Sequence, residues 1–234
     1  RLDRMDEKIV DRLTACGIET VALAPEAGSQ RLRDLLRKGI TTDDILNAAR
    51  LLIEKEISNL RLYFMVGLPT ETDEDIDAII DLAKKIQHTA LSYTEGKRKF
   101  RRVTLSINQF IPKPRTPLQW CALADVQVVG KRIKKISQAF KQDKQINVIA
   151  DVPKWNYVQA LLSLGDRRVG DILLAVHRLH GNWMKALKDV NINPDFYVYR
   201  QKDLNEILPW DVIEVGISKK SLRRENEKAL PLCK

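Results

Sequence analysis

The stretch that most constrains the fold is LRLYFMVGLPTET, residues 60–72. Six of its first seven residues are apolar, a run that predicts a strand buried on both faces of a parallel sheet. Gly67-Leu68-Pro69 then ends the strand in a tight turn. Thr72, with Asp75 three residues later, has the pattern of a helix capping box. The stretch therefore predicts a strand, a turn and a helix, the unit that builds ligand sites at the carboxyl edge of α/β sheets.

Two further strands are predicted at residues 19–24 and 103–107. The three strands begin near residues 19, 60 and 103, about forty residues apart, which leaves room for a helical crossover and predicts parallel pairing. Three parallel strands do not close a barrel. We therefore expect this segment either to pair edge to edge with a second copy or to cover the gap with its C-terminal helices.

Helices are predicted where apolar residues recur every three or four positions. In the first half these helices cover residues 3–16, 41–54 and 72–87, with a short helix from Ser29 that ends at Gly39. The second half has a long helix over residues 126–140, a short strand at 146–150, and helices at 157–164 and 169–179. The predicted fold class is α/β, a partial parallel (β/α) barrel followed by a mainly helical C-terminal region. The predicted domains are residues 1–118, a linking helix and strand at 119–150, and a helical accessory region at 151–234.

Composition places limits on the class of protein. The 234 residues carry a net charge of +9, but residues 1–90 carry 13 basic and 17 acidic side chains, so the basic excess lies in residues 91–234. A basic surface can bind a polyanion such as nucleic acid, or it can be a solvated surface without such a partner. No apolar run approaches eighteen residues, which predicts a cytoplasmic protein without a membrane span. Cys16, Cys121 and Cys233 lack local metal-ligand spacing and are expected to be free thiols.

The loops after the strands hold the candidate binding residues. Glu26 can accept hydrogen bonds from ribose hydroxyls, or it can complement the dipole of the helix that follows. Arg37 and Lys38 can bind a ligand carboxylate, or they can complement the C-terminal end of their helix. The segment Gly67-Leu68-Pro69 can approach a ligand or form a plain turn.

The second half offers weaker signals. Arg167 and Arg168 lie at the start of a predicted helix, where cations are disfavoured, so they predict either an ion pair with Asp166 or Asp171 or a bound anion. His177 and His180 are three residues apart, but without a third ligand they do not predict a metal site. The Trp residues at 155, 183 and 210 are expected to be core anchors.

Three segments together resemble the radical S-adenosylmethionine (radical SAM) superfamily. They are APEAGSQRLRDLLRKGITTDDIL, then LYFMVGLPTETDEDI, then INQFIPKPRTPLQW, and the resemblance covers about residues 1–120. It implies the second half of a radical SAM-type barrel, with loops after the fourth, fifth and sixth strands. VPKWNYVQALLSLGDRRVGDIL and LPWDVIEVGISKKSL are similar to the C-terminal region of an uncharacterised radical SAM family that often carries a cobalamin-binding-type domain. Cys233 is similar to the start of a cysteine-containing tail there.

The resemblance implies a role for specific residues toward S-adenosylmethionine (SAM). Glu26 and Ser29 would face the ribose, and Arg37 or Lys38 would meet the methionyl carboxylate. The remaining residues would surround the adenine, and they are Gly67, Leu68, Pro69, Phe110 and Ile111. The superfamily also holds a 4Fe–4S cluster on a C-x-x-x-C-x-x-C motif, which this sequence lacks. No catalytic residue and no metal ligand is therefore named.

The resemblance implies the C-terminal part of a radical SAM enzyme. It would contribute SAM-contacting loops for cluster-dependent reductive cleavage of SAM and for modification of an unknown substrate, with methyl or methylthio transfer as one candidate. The cofactors would be SAM and the 4Fe–4S cluster of the full-length protein, with cobalamin from an upstream domain as a further candidate. The partners would be the other half of the barrel, an electron donor, and a substrate that is RNA or protein. No membrane partner is expected. The segment by itself is a candidate homodimer. The segment alone is expected to be inactive. The alternative is a non-catalytic nucleic-acid-binding module on a degenerate α/β scaffold.

Overall fold

The computed structural model describes residues 2–93 and 100–230. The basic run at residues 97–99 and the tail with Cys233 lie outside the described residues. The chain divides into two compact units, the first formed by Arg1–Gln109 with Gln127–Asp151 and the second by Phe110–Val126 with Val152–Lys234. The segment after the third strand thus belongs to the second unit, and the chain then returns to complete the first.

The first unit is built on one parallel sheet of four strands in the order β1-β2-β3-β4. The strands are β1 (Thr20–Glu26), β2 (Asn59–Val66), β3 (Arg102–Gln109) and β4 (Ile146–Ala150). The predicted α/β class with parallel strands is confirmed, and the short predicted strand at 146–150 becomes a fourth member of the sheet. The helices of this unit are α1 (Glu7–Ala15), α2 (Gln30–Leu35), α3 (Thr42–Glu54), α4 (Asp73–Tyr93) and α5 (Val126–Ala139).

The sequence predicted that β2 is buried on both faces, and this is wrong. Burial alternates along the strand. Leu62 and Phe64 are fully buried, whereas Arg61, Tyr63 and Met65 are only partly buried. Tyr63 and Met65 count as apolar in the sequence, so they hide the alternation of a strand with one buried and one partly exposed face.

Side-chain caps explain where several of the helices start. Thr41 and Asp44 form a complete capping box at the start of α3, the helix that was predicted over residues 41–54. The predicted helix over residues 3–16 is instead a 3₁₀ turn at Leu2–Arg4 followed by α1. The reason is Asp6, whose carboxylate accepts a hydrogen bond from the backbone N–H of Ile9 at 2.8 Å and so starts a new helix.

The second unit is helical. It contains α6 (Pro153–Leu164), α7 (Val169–Arg178), α8 (Trp183–Asp189), α9 (Asp195–Val198) and α10 (Lys219–Ala229). One core cluster includes Leu161 and Ile172, and another joins Trp120, Trp210 and Leu222. Trp210 is therefore a core anchor, as predicted, but Trp155 is 50% exposed. No helix of the described ranges is long and apolar enough to span a bilayer.

Candidate functional site

The loop after β1 contains two of the predicted binding residues in direct contact. Glu26, the last residue of β1, has a positive φ of 68°, which turns the chain out of the sheet. Its Oε1 accepts a hydrogen bond from Nζ of Lys38 at 2.9 Å. Both side chains remain partly exposed. A ligand carboxylate that binds Lys38, or a ribose that binds Glu26, would therefore compete with this ion pair.

A cavity of about 400 Å³ lies next to this ion pair, within the size range of small-molecule sites. Ala22 and Ala24 of β1 form part of its wall, and Arg37 and Lys38 contribute two cations. Arg37 has a positive φ of 51°, in the turn that follows α2. Asp3 adds a carboxylate to the lining. The cavity therefore has two cations with carboxylates nearby. This arrangement of charges fits a zwitterionic ligand such as the amino acid part of SAM.

Asp75 connects the loop after β1 to the loop after β2. Its carboxylate accepts a hydrogen bond from Oγ of Ser29 at 2.6 Å and from the backbone N–H of Thr72 at 2.8 Å. Arg31 also forms an ion pair with Asp75 and donates to the carbonyl oxygen of Thr70 at 3.0 Å. These donors hold the pKa of Asp75 below its ordinary value, against the opposing effect of burial, which is the largest single influence. One carboxylate thus fixes two candidate loops to each other.

The predicted residue Ser29 therefore has partners of its own. Besides donating to Asp75, it caps α2 by accepting a hydrogen bond from the N–H of Leu32. Its hydroxyl is fixed by these contacts, so it is suited to shape the loop. A direct contact to a ribose stays a prediction.

Glu71 stabilises the Gly67-Leu68-Pro69 turn by a hydrogen bond to its backbone. Gly67 has a φ of 79°, a conformation that favours glycine, and its N–H donates to Oε2 of Glu71 at 2.7 Å. The same Oε2 accepts from Nη1 of Arg132 at 2.7 Å, and Nη2 of Arg132 donates to the carbonyl oxygen of Glu71 at 2.8 Å. Leu68 is buried and Pro69 is partly exposed. The turn is thus fixed to α5.

Gly28 explains the close packing of the first loop. A Cβ at this position would lie 2.2 Å from the backbone nitrogen of Ile79 and 2.5 Å from the carbonyl carbon of Ala78, so the loop packs directly against the backbone of α4. Arg33, fully buried, donates to the carbonyl oxygens of Ala27 and Gly28 at 3.1 and 2.7 Å. The absence of a side chain at Gly28 therefore lets the loop pack against the backbone of α4.

Two predicted residues, Phe110 and Ile111, belong to the second unit. Phe110 is buried, and Ile111 packs against the cluster of that unit that includes Leu161 and Ile172. Their predicted contact with adenine stays a prediction.

Several residues that fix these loops were not named from the sequence, and they are Arg31, Arg33, Glu71 and Arg132. Their partners lie up to 61 positions away, a separation that local patterns do not report. The sequence identified Asp75 only as part of a helix cap. That cap position was the one sequence signal that marked Asp75 as a residue that fixes a loop.

Arg168, at the turn before α7, has an ion pair with a neighbouring residue. Arg168 forms an ion pair with Asp166, with Nη2 and Oδ2 2.7 Å apart, and its guanidinium lies 5.6 Å from the ring centre of Tyr197. The hydrogen bonds from Arg168 lower the pKa of Asp166 to about 2. Of the two alternatives for this turn, the ion pair is the one observed for Arg168. The described residues contain no group of three potential metal ligands, so their side chains do not fit a 4Fe–4S cluster.

The fold is an α/β protein built on a parallel sheet, and the candidate loops follow its first two strands. Comparison with known families gives a specific class. Residues 1–83 match the family described as the radical SAM superfamily. The match covers less than half of the chain and supports a radical SAM superfamily protein.

Three curated relatives support the assignment. An uncharacterised protein of Methanocaldococcus jannaschii is 36% identical over 158 residues, which cover 66% of this chain and 32% of that protein. An uncharacterised methyltransferase of Pyrococcus horikoshii is 29% identical over 40% of this chain and 20% of its own length. A tRNA-2-methylthio-N(6)-dimethylallyladenosine synthase of Clostridium tetani is 26% identical over 56% of this chain and 28% of its own length. The chain thus spans about a third or less of the relatives it matches, and no solved structure matches it.

Proposed function

We propose that this chain forms the C-terminal part of a radical SAM enzyme and supplies loops that contact SAM. The observation that carries the proposal is the pair of loops after β1 and β2, which Asp75 joins into one rigid rim beside a cavity lined by Arg37 and Lys38. In such enzymes the cluster supplies an electron that cleaves the sulfonium of SAM. We propose that another segment of the full-length protein supplies the cluster ligands.

Within this proposal, the residues of the chain bind and orient SAM. Lys38 and Arg37 bind the methionyl carboxylate, because both cations line the cavity. Glu26 accepts hydrogen bonds from the ribose hydroxyls when its ion pair with Lys38 opens. The Gly67-Leu68-Pro69 turn, held by Glu71 and Arg132, presents the partly exposed Pro69 to the adenine. Ser29 fixes the loop through Asp75.

The proposed reaction and substrate classes rest on the names of the relatives alone. Two of them carry names of methyl-transferring or methylthio-transferring proteins, one of which acts on tRNA. We therefore propose methyl or methylthio transfer to an unidentified substrate, with RNA and protein as the candidate classes. Cobalamin and an external electron donor stay predictions for the full-length protein.

A binding experiment on the full-length protein tests the role of the first loop. Lys38→Met removes one cation from the cavity and should weaken SAM binding about tenfold, because a charge-assisted hydrogen bond is lost. Glu26→Gln should weaken it less. The measurement is isothermal titration with SAM under anaerobic conditions.

The matched control is Lys84→Met, which removes an exposed lysine from α4. It should leave the affinity for SAM unchanged. Equal affinities for SAM in Lys38→Met and the unaltered protein would remove Lys38 from the site.

The class of reaction is tested by electron paramagnetic resonance. The full-length protein, reconstituted with iron and sulfide and then reduced, should give a cluster signal that changes when SAM is added. A protein whose complete sequence lacks the three-cysteine motif and which forms no cluster would contradict the proposed function.

A further inference from the structure

The second unit contains an aromatic cavity that the proposed SAM site does not use. It has a volume of about 560 Å³, and all its lining residues belong to that unit. Four aromatic side chains contribute to the wall, and they are Trp155, Tyr157, Trp183 and Tyr199. Trp155 is 50% exposed and Met184, also in the lining, is 65% exposed. Large apolar side chains exposed together in a concave site indicate a ligand surface.

The charges of this cavity are complementary to an anion. Lys154 and Lys188 line it, and neither has an ion pair with another residue in the described part of the chain. The Lys154 ammonium lies 5.1 Å from the ring centre of Trp155, so one cation and one flat ring are presented side by side. Lys154 and Trp155 lie in the first turn of α6, and that turn contains no acidic side chain.

One acceptor is also present in the lining. Asp195 accepts a hydrogen bond from the hydroxyl of Tyr157 through Oδ1 at 2.6 Å. Burial and this contact raise the pKa of Tyr157, so Tyr157 remains the donor in this hydrogen bond. A carboxylate in this position can accept a further hydrogen bond from an amino group of a ligand.

We propose that this cavity binds a nucleotide whose base carries an exocyclic amino group. The base lies against the Trp155 and Trp183 side, the phosphate is bound by Lys154 and Lys188, and the amino group donates to Asp195. Stacking on an aromatic side chain is worth a substantial share of the affinity for a base, and the two lysines supply the attraction for the phosphate. The nucleotide is either free or part of a single strand, and both sources share this chemistry.

Tryptophan fluorescence of the 234-residue chain tests the proposal, because two of the four tryptophans line the cavity. Adenosine monophosphate should quench the emission in a saturable way. Adenosine, which lacks the phosphate, and ribose 5-phosphate, which lacks the base, should each bind at least about tenfold more weakly. Uridine monophosphate, which lacks the amino group, should also bind more weakly. A short oligoadenylate that binds more tightly than the mononucleotide would identify a strand as the source, and one that binds more weakly would identify a free nucleotide.

Variants locate the binding. Trp155→Ala should weaken binding of adenosine monophosphate about tenfold, and Lys188→Gln about fivefold, with a smaller dependence on salt. The matched controls are Leu162→Ala, which removes an exposed residue from α6, and Lys185→Gln, which removes an exposed lysine from α8. Neither residue lines the cavity, so neither change should alter the affinity.

The proposal is independent of the SAM site, and the outcomes separate the two. Binding of adenosine monophosphate that is lost in Lys38→Met but kept in Trp155→Ala would place the ligand in the first unit and overturn the proposal. Equal binding of ribose 5-phosphate and adenosine monophosphate would also overturn it, because the base would then contribute nothing.

Discussion

Among single residues, Glu71 is the one whose surroundings have the clearest consequence for the pH dependence of stability. Its side chain is 1% exposed, and burial raises its pKa to about 7 although the N–H of Gly67 and the guanidinium of Arg132 favour the charged form. A carboxyl group with a raised pKa binds its proton more tightly in the folded chain than in the unfolded chain. Its contribution to stability is therefore fully present below the unfolded pKa and is lost as the pH rises through the folded value.

This linkage gives a testable prediction for Glu71. The free energy of unfolding should fall from about pH 5 to about pH 8 by about 3 kcal/mol more in the unaltered chain than in Glu71→Gln, since glutamine does not titrate. Urea unfolding of both chains across this range measures the difference. Taking the difference removes the contribution of titrating groups that do not interact with Glu71.

The result can contradict the assignment in a simple way. If the two chains lose stability in parallel over this pH range, Glu71 does not change protonation there. Its hydrogen bonds from Gly67 and Arg132 would then outweigh the effect of burial.

At the scale of the element, the loop after β1 is constrained by its contact with α4. Gly28 leaves no room for a Cβ between the loop and the backbone of Ala78 and Ile79. Backbone atoms cannot move aside as the end of a flexible side chain can. The position of the candidate site is therefore fixed by the packing of a loop against a helix.

Gly28→Ala should lower the free energy of unfolding by about 3 kcal/mol or more, because the added methyl group overpacks a rigid contact. The comparison variant is Gly130→Ala in α5, where a Cβ meets no atom within 4 Å. That change should stabilise the chain by about 0.5 to 1 kcal/mol, because alanine is the better helix former. Thermal unfolding followed by circular dichroism measures both. Tolerance of Gly28→Ala would show that the loop can separate from α4.

The elements that were predicted correctly are those with local signals. The capping residues Thr41 and Asp44 indicate the start of α3, and the apolar run before Gly67 indicates β2. The partners of Asp75 and Glu71 could not be predicted, because Ser29 and Arg132 are distant in sequence and meet only after the sheet has formed. The candidate residues Glu26 and Lys38 were named from their place in the loop and helix after β1 and then from the family resemblance, and the contact between them became visible only in three dimensions.

At the scale of the whole chain, the four-stranded sheet of the first unit has β1 and β4 at its edges. Ile149 in β4 pairs in register with Ser106 of β3 and is 46% exposed. A strand edge with an exposed apolar residue is a template for pairing with another chain.

We therefore predict that the 234-residue chain forms a dimer through the β4 edge. Ile149→Lys should abolish it, because a lysine on an edge strand opposes strand pairing. Leu91→Lys, a change at a residue of α4 that is 52% exposed, should leave the dimer intact. Sedimentation velocity over a range of concentrations measures the fraction of dimer in each case. A stable monomer that binds no apolar dye would mean that this edge and its apolar face are covered within one chain, which is the second of the two arrangements expected for an open sheet.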